Sequence, residues 1–209
     1  MLDSWSPPTP MLAALRIPPV GGGWAFEMKW DGQRAIAMTR GGRCRLFSRN
    51  GRDITGTFPE LPDAVMAALR GRNAIVDGEI VALDEKGRPS FSRLQQRMHV
   101  QRPTRQLRDN APVVYQLFDV LDVDDEPTTA LTHLERRSVL DTFVHDHSHA
   151  QAPPYRTDTD GRTLLGIARN HGWEGIVTKR TSSVYLPGRR SPTWTKTPLR
   201  ADTEAIVVG

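Results

Sequence analysis

Lys29-Trp30-Asp31-Gly32-Gln33-Arg34 sets a lysine two residues before an aspartate and an arginine five residues after the lysine. Four of the 28 basic residues are lysine (29, 86, 179 and 196), so the other 24 are arginine. A lysine kept in so arginine-biased a chain points to work that arginine cannot do. An amine can shed its proton and act as a nucleophile; a guanidinium cannot. Further clusters hold side chains able to do chemistry: Ser48-Arg49-Asn50-Gly51, Asp77-Gly78-Glu79, Phe118-Asp119, and Glu174-Gly175-Ile176-Val177 followed by Lys179 and Trp194-Thr195-Lys196. Taken singly, each reads as an ordinary turn, bulge or core residue. No Gly-x-x-x-x-Gly-Lys-Ser/Thr stretch occurs, which excludes a P-loop.

The elements that must position these residues follow from punctuation and periodicity. Period-2 runs predict strands at 24–30, 33–39 and 43–48, joined by Asp31-Gly32 and Gly41-Gly42 as turns of an antiparallel meander. More strands are expected at 74–83, interrupted by Asp77-Gly78-Glu79, and at 113–121, 174–179, 193–196 and 204–209. Helices are expected at 59–70, at 90–98 with Ser90 as N-cap, at 131–144 and at 162–171. The third would bury Leu134, Val139, Leu140 and Phe143, and the last would stop at Gly172. Polar stretches at 99–112, 145–160 and 181–192 read as loops. Many strands with helices set between them argue an α+β fold, with antiparallel or mixed β-sheets flanked by helices.

Bulk properties narrow the class. A chain of 209 residues is long enough to bury a core. The net charge of +4 permits a nucleic-acid partner without requiring one. One cysteine, Cys44, excludes an internal disulfide framework and fits a reducing cytoplasm. No apolar run approaches the roughly 20 residues of a membrane span, and no signal-peptide pattern opens the chain. Residues 1–23, with five prolines and a triple glycine, read as an extended arm; 24–200 read as one domain. The apolar strand at 204–209 ends without a polar tail, so 201–209 read as a linker or the first strand of another domain.

In their order and spacing the clusters resemble the nucleotidyltransferase motifs of ATP-dependent DNA ligases, shared more loosely by RNA ligases and mRNA capping enzymes. The flanks are similar to those of the bacterial end-joining ligases, types C and D: Trp24-Ala25-Phe26-Glu27, Pro89-Ser90-Phe91-Ser92 with Gln95 and Arg97, His171-Gly172-Trp173, and Tyr185-x-Pro187-Gly188-Arg189. The resemblance covers about residues 10–209. It implies a nucleotidyltransferase (ATP-grasp-like) ligase adenylation domain, with an OB-fold domain following at 201–209. Lys29 would be the nucleophile that takes AMP from ATP. Arg34 and Arg49 would contact the phosphate, the ribose or the DNA 5′-phosphate, Glu79 the ribose hydroxyls, and Lys196 the α-phosphate. Phe118 would stack on adenine, Glu27 would frame its edge, and Lys179 would lie near the phosphates. Glu174 would place a divalent metal, Mg²⁺ or Mn²⁺. The implied partners are nicked or broken duplex DNA and a Ku-type end-binding protein. The protein would act as a monomer with the nucleoid in a bacterial cytoplasm, with no membrane. The last motif departs from the family's Lys-x-Lys: it reads Lys196-Thr197-Pro198, so the second cation is absent. Two rivals stay open. An RNA ligase or GTP-using capping enzyme differs in nucleotide and nick; a non-catalytic DNA-end-binding module would not depend on Lys29.

Overall fold

The computed structural model describes residues 5–199, so the strand expected at 204–209 and the rest of 201–209 lie outside the described residues. In chain order the elements are β1 (Leu12–Leu15), β2 (Trp24–Met28), β3 (Gln33–Arg40), β4 (Arg43–Ser48), α1 (Leu61–Ala68), β5 (Ala74–Ala82), α2 (Phe91–Arg97), α3 (Arg105–Asn110), β6 (Val113–Val123), β7 (Glu126–Pro127), α4 (His133–Phe143), β8 (Ala150–Gln151), α5 (Gly161–Asn170), β9 (Gly175–Arg180) and β10 (Arg190–Pro198). They form two sheets. One is four-stranded and mixed, in the order β1-β10-β9-β2; the other is six-stranded, in the order β4-β3-β5-β6-β7 with β8 beside β6. No helix among the described residues is long and apolar enough to cross a membrane.

Strand alternation builds the layers. On β3, Ala35 and Ala37 face a large core shared with α1, α2 and α4, while Ile36 and Met38 face the other sheet. Between the sheets Ile36, Met38, Phe47, Phe118 and Leu121 meet Met11, Tyr185 and Trp194. Beyond the four-stranded sheet, Phe26 and Ile176 pack on Leu164 and Ala168 of α5. The order of layers is helices, six-stranded sheet, four-stranded sheet, α5. Fully burying a large apolar side chain contributes about 1.5–3 kcal/mol. Sliding β2 by one residue would replace Phe26 with Glu27 under α5, so its register is strongly specified.

Five expectations are corrected. The meander holds only for β3 and β4, which pair antiparallel from Ala35↔Ser48 to Arg40↔Arg43. β2 pairs with β9 instead, and Asp31-Gly32 carries the chain from one sheet to the other rather than closing a hairpin. Glycine is needed there for space: a Cβ on Gly32 would stand 2.2 Å from the Ile80 carbonyl oxygen. Residues 99–112 are not all loop, because Arg105–Asn110 is helical, capped by the Thr104 hydroxyl accepting from the Leu107 amide. Asp77-Gly78-Glu79 does not interrupt β5; the irregularity is absorbed as register shifts against β6. Within the proline-rich arm, Leu12–Leu15 adds a parallel strand to β10, which begins at Arg190 rather than at 193.

Candidate active site

The four-stranded sheet lays its polar side chains in rows. Glu27, Val177 and Lys196 stand side by side across β2, β9 and β10, and Ala25, Lys179 and Trp194 form the next row on the same face. This face looks onto β3, β5 and β6. Between the sheets lies a cavity of about 270 Å³. Glu27, Lys29, Lys179 and Lys196 line it from one sheet, Arg34, Glu79 and Phe118 from the other, and Arg49 from the turn after β4. Eight of the nine residues singled out in the sequence therefore share one space. The ninth, Glu174, lines a smaller neighbouring cavity of about 110 Å³, which shares Met28, Lys29 and Trp30 with the first.

Lys29 stands at that junction, just past the end of β2. Its amide donates to the Gly175 carbonyl at 2.9 Å, and its ammonium pairs with Glu174 Oε1. Gly175 makes the approach feasible. Its φ is +144°, and a Cβ there would meet the Thr197 carbonyl oxygen at 2.2 Å. Glu174 Oε2 is buried and has no hydrogen-bond partner. Among the described residues no three His, Cys, Asp or Glu side chains cluster as a metal cage. A hard cation such as Mg²⁺ uses one or two carboxylates and takes its remaining ligands from water and phosphate, so one carboxylate with an orphan oxygen fits it. Pro198 pairs with Gly175, so the missing second cation leaves the strand position closest to Lys29 uncharged.

On the opposite sheet Arg34 is fixed rather than free. Its Nε and one terminal nitrogen reach the two Asp77 oxygens at 2.5 Å each, and the guanidinium carbon lies 4.6 Å from the Phe118 ring centre. Asp77 is fully buried and also accepts from the Tyr185 hydroxyl at 2.6 Å; the Tyr185 oxygen in turn accepts from the Met11 amide at 2.9 Å, which ties the arm to both sheets. Burial pushes the Glu79 carboxyl up to about 7 against the pull of Arg34 and Lys29. Arg49 also lines an open groove beyond the cavity, beside Arg52 and His99.

Beneath the cavity a buried ionic cluster supports Glu27. Burial alone would raise its carboxyl, but the Lys179 ammonium at 2.8 Å, with His133 and Arg137, outweighs burial and holds it well below the usual carboxylate range. Burial lowers Lys179 in turn, and its ammonium sits 4.6 Å from the Phe118 ring centre and 4.4 Å from that of Trp194. His133 and Arg136 project from α4 toward Asp119, which Arg136 grips at 2.7 and 3.1 Å. His133, Arg136 and Arg137 escaped the sequence reading, while Asp77, Asp119 and Tyr185 stood in its motifs without an assigned role. On α4 Leu140 and Phe143 are buried and Val139 packs against the same core, as expected, but Leu134 is 36% exposed, and His133, Arg136 and Arg137 complete the buried face. A capping box, Thr132-x-x-Glu135, starts the helix just before His133.

Comparison with known proteins agrees with this geometry. The family model described as ATP dependent DNA ligase domain matches residues 10–197. The multifunctional non-homologous end joining DNA repair protein LigD of Mycobacterium tuberculosis is 38% identical over 186 residues, which is 89% of this chain and 23% of that protein. A DNA ligase of Thermococcus onnurineus is 34% identical over 88% of this chain and 34% of its own length. The chain thus spans about a quarter to a third of these relatives. Among solved structures, a mycobacterial DNA ligase D complexed with ATP and MES superposes with a TM-score of 0.77 at 34% identity, over 91% of this chain and 60% of that one. A Chlorella virus DNA ligase-adenylate, at 17% identity and a TM-score of 0.64 over 91% of this chain and 67% of that one, shares the fold. With its motifs gathered at one cavity between two sheets, the chain belongs to the family of ATP-dependent DNA ligase domains and has the nucleotidyltransferase fold of their adenylation domains.

Proposed function

We propose that this chain charges Lys29 with AMP from ATP and passes the AMP to a DNA 5′-phosphate for sealing nicked or broken duplex DNA. The observation that carries this reading is the position of Lys29, at the mouth of the cavity that holds all the expected nucleotide-binding side chains and ion-paired to Glu174. In the reaction the Lys29 amine attacks the α-phosphorus. The N–P bond forms, the P–O bond to pyrophosphate breaks, and the amine gives up a proton. Attack needs the nitrogen lone pair, so the pair with Glu174 opens first. Lys196 and Arg49 hold phosphate oxygens, where charge builds in the transition state. Phe118 stacks on the purine and Glu79 takes the ribose hydroxyls. Glu27 faces the base edge, and Lys179 acts beneath it. Glu174 would hold a Mg²⁺ or Mn²⁺ ion, which would supply neutralisation of phosphate charge when bound. The phosphoramidate then yields AMP to the DNA 5′-phosphate, and the 3′-hydroxyl displaces AMP as the nick closes.

The names of the LigD relatives, which are non-homologous end joining proteins, support a place in DNA end joining; a Ku-type partner and a bacterial cytoplasm follow from the resemblance of the motifs alone. The test is an intact mass after incubation with ATP and Mg²⁺. An AMP-sized increment is expected in the wild type and none in Lys29→Ala. An increment that persists in the variant overturns Lys29 as the nucleophile.

A further inference from the structure

Three buried polar atoms lie together beneath the cavity without hydrogen-bond partners: Glu27 Oε1 and both ring nitrogens of His133. His133 is fully buried, with Nε2 3.4 Å from Glu27 Oε1 and Nδ1 3.9 Å from Asp119 Oδ2. Folded interiors seldom strand buried polar atoms, so this group calls for a reason. Asp119 is already held by the Arg136 fork. Glu27 Oε2 is held by Lys179 at 2.8 Å. That leaves Glu27 Oε1 as the atom His133 can control. A competing cation is near: Arg137 is buried with Nε and one terminal nitrogen unpartnered, and its charge reaches Glu27. Without the imidazole against Oε1, the carboxylate is free to turn from the cavity toward that guanidinium.

We propose that His133 is a positioning residue: it holds the Glu27 carboxylate toward the cavity, so that the site selects a nucleobase bearing an exocyclic amine. The inference rests on reading the cavity as a nucleotide site. An ionised carboxylate only accepts hydrogen bonds, through roughly four lone-pair sites. Lys179 and His133 face one on each oxygen, and the others remain for an amine arriving from the cavity. A base carbonyl there meets like charge and is rejected. Burial favours the neutral imidazole, so His133 meets Glu27 Oε1 as a hydrogen-bond partner rather than as a further charge beside Lys179.

The experiment compares equilibrium binding of ATP with that of purine riboside triphosphate, which lacks the 6-amino group. The wild type is expected to prefer ATP by about ten- to hundredfold, the size of one hydrogen bond to a charged acceptor. His133→Leu brings the ratio close to one while leaving the affinity for the analogue unchanged. His133→Gln, whose amide nitrogen can stand in for Nε2, restores most of the preference. A purely structural role for His133 would weaken both ligands alike. Melting curves report whether each variant folds; should His133→Leu not fold, His133→Asn must lose the preference instead. An unchanged ratio in folded His133→Leu, or in His133→Asn where it stands in for it, overturns the proposal, as does a wild type that binds both ligands equally. A wild type that binds neither ligand overturns the nucleotide-site reading itself.

Discussion

The four-stranded sheet brings three lysines and Glu27 to the cavity, with Glu174 just before β9, whereas the six-stranded sheet brings Arg34, Glu79 and Phe118. Their supports differ as much as their side chains. The six-stranded sheet rests on the largest apolar core, from Ala35 on β3 to Leu140 and Phe143 on α4. The four-stranded sheet has a small cluster behind it, where Phe26 and Ile176 meet Leu164 and Ala168 of α5. In the proposed mechanism the reacting nitrogen and the phosphate cations stand on the lightly backed sheet. Most of the surface that would recognise the nucleoside stands on the heavily backed one. The cavity lies at the seam, so binding and bond-making are separable by substitution.

The largest effect is expected where the seam is supported. Arg136→Leu leaves Asp119 as a buried, unpaired charge, and breaking such a pair costs about 3–5 kcal/mol. Urea unfolding should show a loss of that size. A loss below about 1 kcal/mol, the scale of an exposed pair, would show that Asp119 and Arg136 do not anchor α4 under the cavity. Phe118→Leu keeps much of the apolar bulk and removes the ring. Stacking of a base on an aromatic ring is worth about 1–3 kcal/mol, so ATP affinity is expected to fall about ten- to hundredfold. Calorimetric titration measures it, and an unchanged affinity would move base recognition off the six-stranded sheet.

The smallest effect is a pH slope. Burial raises the Glu79 carboxyl to about 7 in the folded protein, while the unfolded chain releases that proton near the ordinary 4.5. The folded state binds the extra proton, so this contribution to stability is full below about 4.5 and is lost as pH rises through about 7. His133, lowered by burial, acts in the opposite sense, so the contrast with a variant is what isolates Glu79. The difference in melting temperature between wild type and Glu79→Gln should shrink or reverse as pH is raised across that window. A pH-independent difference would place Glu79 in contact with solvent rather than in the seam.

The two sheets also differ in how legible they were in the sequence. Periodicity and glycine punctuation located β3, β4 and α5 closely, because their apolar faces repeat at the period of the element, and a continuous β-rich run located β6, which is buried on both faces. The same rules mispaired β2, since a strand followed by Asp-Gly looks like half a hairpin whichever sheet it joins. What decides the pairing is Phe26 finding α5, a contact spanning more than a hundred residues. The motif residues were legible through their types and order, and the fold brings them together. The cluster around His133 was not. Its helix buries histidine and arginines beside Leu140 and Phe143, and a reading that seeks hydrophobic faces finds the two apolar residues and passes over the charged ones.

The separation of the two sheets is tested most directly by the ATP dissociation constant of Lys29→Ala set beside that of the wild type. Lys29 contributes the attacking atom and one cation among several, so binding is expected to stay within about tenfold, roughly 1.4 kcal/mol, while the AMP adduct disappears. A loss of ATP binding as deep as that of Phe118→Leu would contradict the account, because it would make Lys29 part of the recognition surface.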